Sequence, residues 1–184
     1  MPNMLIVGGL SRNVGKTTFL LRLIEHFACK GPLVAVKVTS VSPGGESFHG
    51  KHDLDGIERY SILEETDRGS DKDTSKMLRA GAGEAFLVSA RDRYIKEALS
   101  SLFEKVDRSS LFVCESNSLR RIINPGLFVM IRSNSEKNIK QNCCDLVDMA
   151  DIVSYSDGKG FKPGLEVIGL KNGVWRIEEN SQEL

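Results

Sequence analysis

The sequence predicts an α/β fold in which a mostly parallel central sheet lies between two layers of helices, with a β-hairpin near the C-terminus. Three observations predict this architecture. Short apolar runs alternate with segments of helical periodicity, as in sheets built from strand–helix–strand units. The apolar runs are nearly continuous, which is typical of strands covered on both faces. Near the C-terminus, Lys171-Asn172-Gly173 stands between two apolar runs, residues 165–170 and 174–177, as in a tight hairpin.

The composition is that of an ordinary globular chain. With 184 residues, 40% hydrophobic and 27% charged, we expect a single domain over residues 1–184. Basic and acidic residues number 25 each, so no overall basic charge attracts nucleic acid. The first residues lack a charged leader, and no apolar run reaches membrane-spanning length. We therefore expect a cytoplasmic protein without a nucleic-acid or membrane partner.

The first strand and the first helix are clearly marked. Residues 4–7 (MLIV) form a continuous apolar run bounded by Gly8 and Gly9, which predicts a central strand. Apolar residues recur at helical spacing after Lys16, so we expect a helix that begins within the intervening motif. These residues are Phe19, Leu20, Leu21, Leu23, Ile24 and Phe27.

The turn between this strand and this helix has the residues of a phosphate-binding loop. Glycines let backbone N–H groups point inward, and a helix start adds donors at the positive end of its dipole. Lys16 supplies a mobile positive charge for the β- and γ-phosphates, and the Thr17 hydroxyl suits Mg²⁺. Five residues separate Gly9 from Gly15, where the common pattern has four. The predicted nucleotide-binding residues are Gly9, Ser11, Arg12, Asn13, Val14, Gly15, Lys16, Thr17 and Thr18.

A lysine near the end of the second predicted strand points to the same site. Residues 33–38 (LVAVKV) follow Gly31-Pro32 and form an apolar run that contains Lys37. Ligands of open α/β sheets bind beyond the carboxyl ends of the strands, so we predict that Lys37 reaches the phosphates that Lys16 binds. A solvated or ion-paired lysine at the strand end is the alternative.

The next segment, residues 40–58, lacks periodicity and is rich in glycine, histidine and acidic residues. This composition predicts a long functional loop over the site. His49 and His52, with Asp53 and Asp55, are suited to bind a divalent metal or a substrate phosphate. A polar loop without a ligand is the alternative.

The rest of the chain continues the alternation of strands and helices. Asp73 or Thr74 is placed to cap a helix that ends at Gly81. Further strands are predicted at residues 60–65 (an edge strand), 84–89, 127–131 and 151–154, and further helices at residues 94–103, 117–123 and 136–150.

A second apolar run ends in an acidic residue. Residues 111–114 (LFVC) lead directly into Glu115, which is the pattern of a carboxylate at the tip of a central strand. Such a carboxylate holds Mg²⁺ directly or through water in nucleotide-binding proteins. A surface glutamate at a strand end is the alternative.

The loop GLSRNVGKTT, with its one-residue extension, resembles that of the P-loop branch that includes dethiobiotin synthetase. Within this branch, residues 67–82 (DRGSDKDTSKMLRAGA) are similar to a segment of the molybdopterin-guanine dinucleotide biosynthesis protein B family, Gly-Lys-Asp-Ser/Thr followed by Ala-Gly-Ala. The lysine of LVAVKV and the acid of LFVCE occur in the matching order, so the resemblance covers about residues 4–132. It implies a three-layer P-loop NTPase fold.

The resemblance also implies a function. Members bind GTP, hydrolyse it weakly, form homodimers and assist a partner enzyme of molybdenum-cofactor biosynthesis. Two departures stand out: Ser116 follows Glu115 where the family has a glycine, and residues 42–56 replace a shorter histidine-containing loop. Together with the residue patterns above, the resemblance leads us to predict Lys16 and Lys37 as catalytic, and Thr17, Glu115 and Asp73 as Mg²⁺-binding.

Three functions remain open from the sequence. The first is an accessory protein that hydrolyses its nucleotide slowly, because no residue is a convincing base for positioning water. The second is an ATP-dependent small-molecule ligase or kinase similar to dethiobiotin synthetase, with Lys37 stabilising charge on the acceptor. The third is a nucleotide-gated binding module without catalysis. The expected cofactors are Mg²⁺ and either GTP or ATP, because residues 131–134 (IRSN) are at best a remnant of the guanine-selecting Asn-Lys-x-Asp segment.

Overall fold

The computed structural model describes residues 1–40, 59–134 and 144–178. Within these ranges, each predicted strand has a counterpart, and one short strand, Phe161–Lys162, was not predicted. The strands are β1 (Met4–Gly9), β2 (Leu33–Ser40), β3 (Tyr60–Glu64), β4 (Glu84–Ala90), β5 (Leu111–Glu115), β6 (Leu127–Ser133), β7 (Ile152–Ser156), β8 (Phe161–Lys162), β9 (Ile168–Lys171) and β10 (Val174–Ile177). The helices are α1 (Lys16–Phe27), α2 (Asp73–Arg79), α3 (Ile95–Phe103) and α4 (Cys144–Val147).

Among the described residues, eight strands form one sheet in the order β3-β4-β2-β5-β1-β6-β7-β8. The inner strands, from β4 to β7 in this order, run parallel to one another. The two edge strands, β3 and β8, are antiparallel to their neighbours, so the predicted edge strand is confirmed. Because β1 lies between β5 and β6 and β2 lies on the other side of β5, the carboxyl ends of β1, β2 and β5 meet at one edge of the sheet.

An apolar core covers each face of the sheet, which makes the fold three-layered. Along β1, Leu5 and Val7 belong to one core, and Met4 and Ile6 belong to the other. The first core contains side chains of α1, α2 and the β9–β10 hairpin, and the second contains side chains of α3 and Leu146 of α4. Central strands buried on both faces explain why their sequences are continuous apolar runs. The predicted α/β architecture is confirmed.

The predicted C-terminal hairpin is present and packs against the start of the chain. Strands β9 and β10 pair antiparallel across Asn172 and Gly173, whose φ angles of 52° and 75° match a tight hairpin turn. Trp175 is 1% exposed and makes an edge-to-face contact with Phe27, with 4.8 Å between ring centroids. Its indole N–H donates to the Asn3 carbonyl oxygen at 3.0 Å. Trp175 therefore ties the hairpin to α1 and to the residues before β1.

Three predicted segments consist partly or wholly of 3₁₀ turns, which were not expected. The helix predicted from residue 94 begins with a 3₁₀ turn, Asp92–Tyr94, before α3. The helix predicted over residues 117–123 is a 3₁₀ helix, Ser118–Arg121. The run predicted as a strand from residue 165 begins as a 3₁₀ turn, Leu165–Val167, and becomes extended only in β9. Short connections favour 3₁₀ turns, which periodicity does not distinguish from α-helix or strand over a few residues.

Two predictions fall outside the described residues. The loop predicted over residues 40–58, with His49, His52, Asp53 and Asp55, is described only at Ser40. The helix predicted over residues 136–150 is described only from Cys144 onward. Among the helices of the described ranges, none combines the length and apolar content that crossing a membrane requires.

Candidate phosphate-binding site

One cavity of about 340 Å³ opens at the carboxyl ends of β1, β2 and β5. The position is the one at which open α/β sheets bind ligands. The cavity brings together both lysines predicted as catalytic and all the side chains predicted to bind Mg²⁺, which come from distant parts of the chain. Its lining residues are Arg12, Asn13, Gly15, Lys16, Thr17, Thr18, Lys37, Asp73 and Glu115.

The loop between β1 and α1 has the backbone of an anion cradle. Asn13 and Gly15 both have left-handed φ angles, of 59° and 96°, which asparagine and glycine tolerate better than other residues. Gly15 occupies the N-cap position of α1, and no side chain caps the helix there. The N–H groups of the first helical turn lack intrahelical acceptors, so phosphate oxygens can take the place of a cap.

Gly9, Ser11 and Val14 belong to the loop but do not line the cavity. The Ser11 carbonyl oxygen accepts a hydrogen bond from the Lys16 ammonium group at 3.0 Å, so the lysine folds back over the loop. Val14 is 4% exposed and packs into the core beside α1. A Cβ atom at Gly9 would lie 2.8 Å from the Lys16 side chain, which explains why glycine stands there. Direct phosphate binding by these three residues stays a prediction.

Thr17 and Glu115 form an oxygen-rich corner of the cavity. The Thr17 hydroxyl donates to a Glu115 carboxylate oxygen at 2.7 Å. Glu115 is 5% exposed, and in the sheet it stands between Val7 of β1 and Lys37 of β2. A hydroxyl and a carboxylate are hard oxygen ligands of the kind that Mg²⁺ takes together with substrate phosphates, so the donor set fits the predicted ion. Across the described ranges, no group of three or more His, Cys, Asp or Glu is arranged to hold a metal.

Lys37 and Asp73, which both line the cavity, form an ion pair. The Lys37 side chain is 12% exposed, and the second Asp73 oxygen lies 4.0 Å from the Lys76 ammonium group. Lys37 is ion-paired, as the alternative interpretation has it, and it also lines the cavity. Its contact with phosphates and its catalytic role stay predictions. Coordination of Mg²⁺ by Asp73 stays a prediction.

The predicted cap of the following helix is wrong. Lys72 holds the N-cap position of α2, and no side chain caps the helix. Asp73 faces Lys37 instead, and the Thr74 hydroxyl donates to Glu65 at 2.9 Å. An ammonium group attracts a carboxylate more strongly than a single backbone N–H does, which explains why Asp73 turns toward the cavity.

The structure adds residues that the sequence did not single out. The Asn117 side-chain amide donates to the Gly9 carbonyl oxygen and accepts from the Gly9 N–H, both at 2.8 Å. The Phe161 ring packs edge-on against Phe19, and a Cβ atom at Gly15 would lie 3.2 Å from it. The only feature of the sequence that could have indicated Asn117 as a site residue is its position two residues after Glu115. No feature of the sequence near Phe161 indicates that it lies at the site.

The departure at Ser116 leaves the site intact. Ser116 is 4% exposed, and its backbone N–H donates to the Val7 carbonyl oxygen at 3.1 Å, which continues the pairing of β5 with β1. Its hydroxyl accepts from the Leu119 N–H at 3.2 Å. A serine at this position therefore anchors the 3₁₀ helix that follows, where the resembled family has a glycine.

Comparisons with known proteins support the fold. No protein-family model matches the chain, and no curated protein matches it significantly. Among solved structures, the chain is similar to the "apo" form of LpxK from Aquifex aeolicus in complex with ATP, with a TM-score of 0.52 and 16% identity. The similarity covers 84% of this chain and 48% of LpxK, so the chain spans about half the length of that protein.

The architecture, a mostly parallel sheet between two layers of helices, is therefore similar to that of LpxK over most of this chain. At 16% identity, the likeness is one of architecture and transfers no activity. Membership of the molybdopterin-guanine dinucleotide biosynthesis protein B family is not shown and stays a prediction.

Proposed function

We propose that this protein binds a nucleoside triphosphate together with Mg²⁺ in the cavity at the end of β1. The observation that carries the proposal is the 2.7 Å contact between Thr17 and Glu115 in the same cavity as Lys16. A hydroxyl from the first helical turn and an acid from the neighbouring strand are the pair that P-loop proteins use for the metal of a nucleotide.

Each part of the site has a role in this proposal. The N–H groups at the start of α1 and the left-handed Gly15 hold phosphate oxygens. Lys16 exchanges the Ser11 carbonyl oxygen for the β- and γ-phosphates, where a full negative charge makes a stronger partner. Thr17 and Glu115 supply ligands for Mg²⁺, and the bound ion neutralises charge on the phosphates.

Hydrolysis by the isolated protein is slow in this proposal. Proton transfer from an attacking water needs a base within hydrogen-bond reach. Of the acids that line the cavity, Asp73 is engaged by Lys37, and Glu115 is engaged by Thr17. In the proposed complex Glu115 is a ligand for Mg²⁺ and Asp73 is ion-paired with Lys37, so neither carboxylate is suited to act as the base. A partner protein or a second copy of the chain that completes the site accounts for faster turnover.

The finer form of the proposal is a weakly hydrolysing GTP-binding accessory protein of molybdenum-cofactor biosynthesis, acting in the cytoplasm as a homodimer with a partner enzyme. It rests on the resemblance of residues 67–82 to the molybdopterin-guanine dinucleotide biosynthesis protein B family. Its structural support is the position of Asp73, which belongs to that segment and lines the cavity.

The second candidate is an ATP-dependent ligase or kinase that acts on a small molecule. The position of Lys37 favours it, because this side chain is 12% exposed, belongs to β2 and lines the cavity beside Glu115. An ammonium group there is suited to stabilise negative charge on an acceptor during phosphoryl transfer. The complex of the structurally similar LpxK with ATP is consistent with this candidate.

Calorimetric titration with GTP and with ATP, each with Mg²⁺, tests the proposal. We expect saturable one-to-one binding of at least one nucleotide. A clear preference for GTP with little turnover supports the accessory protein, whereas ATP binding with phosphate release only in the presence of a metabolite supports the ligase or kinase. Binding without turnover even in the presence of a partner supports the non-catalytic module. Failure of both nucleotides to bind at about 1 mM overturns the proposal.

A further inference from the structure

Both ends of the phosphate-binding loop are tied to the three residues 115–117. Thr17, at the end of the loop, donates to Glu115 at 2.7 Å. Gly9, at its beginning, exchanges two hydrogen bonds of 2.8 Å with Asn117. The stretch that carries the proposed Mg²⁺ ligand therefore also holds the start of the loop.

The Asn117 side chain takes the place of a strand residue. The register of β1 with β5 runs to Val7 and Glu115, and the Ser116 N–H then donates to the Val7 carbonyl oxygen. Beyond this point the chain turns into the 3₁₀ helix Ser118–Arg121. A side-chain amide has the donor and the acceptor of a peptide group. The Asn117 side chain therefore continues the hydrogen bonding between β5 and β1 by one further residue, Gly9.

Space around the loop leaves little freedom for its first residues. A Cβ atom at Gly8 would lie 2.6 Å from the Met130 sulfur and 3.0 Å from the Asn117 amide oxygen. On the other side of β1, the Leu10 N–H donates to the Ile131 carbonyl oxygen at 3.1 Å. The Gly9 N–H donates to Asn117, so it would have to leave this contact in order to bind a phosphate.

We propose that Asn117 is a positioning residue that sets the start of the phosphate-binding loop relative to Glu115, so that the cradle and the metal ligand are held in a single geometry. The inference rests on the proposed binding of a Mg²⁺–nucleotide, but its structural part applies to the nucleotide-free protein as well. Asn117 acts through Gly9 and does not touch the nucleotide.

Amide hydrogen exchange of the nucleotide-free protein tests the structural part. In Asn117→Ala, Gly9 loses the acceptor of its N–H, and we expect its amide to exchange at least about tenfold faster than in the wild type. The Ile6 amide, within the same strand, keeps its wild-type rate. Unchanged protection of Gly9 overturns the inference, whatever the nucleotide experiments show.

The nucleotide affinity of Asn117→Asp tests the functional part. The introduced carboxylate has no N–H to donate to the Gly9 carbonyl oxygen, which accepts from Asn117 in the wild type. We therefore expect nucleotide binding at about pH 7.5 to be at least about tenfold weaker than in the wild type.

Control variants separate the failure of this inference from failure of the proposed function. Asn117→Ala should also bind the nucleotide more weakly than the wild type, and Asn124→Asp, an exposed site at the opposite edge of the sheet, should bind like the wild type. If the wild type binds a nucleotide and both Asn117 variants bind equally well, the inference is overturned and the proposed function stands. If the wild type does not bind, the proposed function fails and the exchange rates alone decide the role of Asn117.

Discussion

The Lys16 ammonium group donates a hydrogen bond of 3.0 Å to the Ser11 carbonyl oxygen and stands in the cavity with Thr17 and Glu115. Truncation in Lys16→Ala removes the charge that faces the phosphates. We expect triphosphate affinity to fall by about ten- to a hundredfold, the range for a hydrogen bond to a charged group. Calorimetry measures this, with Lys30→Ala, an exposed lysine after α1, as the matched control. Equal affinities for the two variants would place the phosphates elsewhere.

The Glu115 carboxylate is the proposed acidic ligand of Mg²⁺. In Glu115→Gln the amide oxygen still accepts the hydrogen bond from Thr17, but the negative charge is lost. We expect the affinity gained by adding Mg²⁺ to fall about tenfold or more, because the ion prefers charged oxygen ligands. Titrations with Mg²⁺ and with a chelator measure this gain. The exposed Glu104→Gln is the control, and an unaltered Mg²⁺ effect in Glu115→Gln would contradict the assignment.

The reactivity of the Cys114 thiol tests how tightly the core is packed next to Glu115. Cys114 is fully buried in β5, and burial raises the pKa of its thiol above the ordinary value because the thiolate is poorly solvated there. At about pH 8 the group therefore stays neutral and unreactive. Alkylation followed by peptide mass spectrometry should label the exposed Cys29 in the native protein and Cys114 only after denaturation. Labelling of native Cys114 would show that β5 opens readily.

Among the secondary-structure elements, the β9–β10 hairpin is connected to the site through α1. Trp175 of β10 contacts Phe27 at the end of α1, and the loop cradle lies at the beginning of the same helix. The apolar contact is large because the indole is 1% exposed. The hairpin therefore stabilises the helix whose first turn is proposed to bind phosphate.

Removal of the Trp175 side chain should lower the stability of the protein. We expect Trp175→Ala to reduce the free energy of unfolding by about 3–5 kcal/mol, the range for deleting a buried aromatic side chain. Denaturant unfolding followed by circular dichroism measures the change. Val174→Ala, at a neighbouring side chain that is 40% exposed, should cost less than about 1 kcal/mol. Similar midpoints for the two variants would mean that the hairpin contributes little to the fold.

Ligand binding and stability are coupled, because the candidate site is assembled from β1, β2, β5 and α1 and exists only in the folded chain. A ligand that binds only the folded chain stabilises it by about 2.7 kcal/mol at a hundred times its Kd. For a chain of this length we expect the Mg²⁺–nucleotide to raise Tm by about 5–11 °C. Differential scanning calorimetry measures the shift, and Lys16→Ala, with an affinity ten- to a hundredfold lower, should show about half of it or less at the same concentration. An equal shift in both proteins would indicate binding outside the cavity.

Much of the fold was predictable because it follows from local patterns. The apolar run of β1, the periodicity of α1 and the Asn172-Gly173 turn each depend on residues close together in the chain. The cap of α2 was predicted wrongly for a related reason. Asp73 has the residue type of a cap, but its ionic partner, Lys37, lies 36 residues away in the sequence. A local pattern does not indicate that such a partner is present.

For the candidate site, too, the residues were predictable and their spatial arrangement was not. Lys16, Thr17, Lys37 and Glu115 were predictable, because a glycine-rich turn before a helix and polar residues at strand ends are local signals. Their arrangement was not predictable. Thr17 and Glu115 are 98 residues apart in the sequence, and Gly9 and Asn117 are 108 apart.

Local residue patterns were therefore sufficient to predict the fold class, the candidate phosphate-binding loop and the charged groups at the strand ends. The order of the strands was decided only in three dimensions, because burial of both sheet faces depends on the packing of all elements together. That order places β5 between β1 and β2, which brings Glu115 to Thr17 and Asn117 to Gly9. The contacts that shape the site are long-range hydrogen bonds, and they exist only once the sheet has assembled.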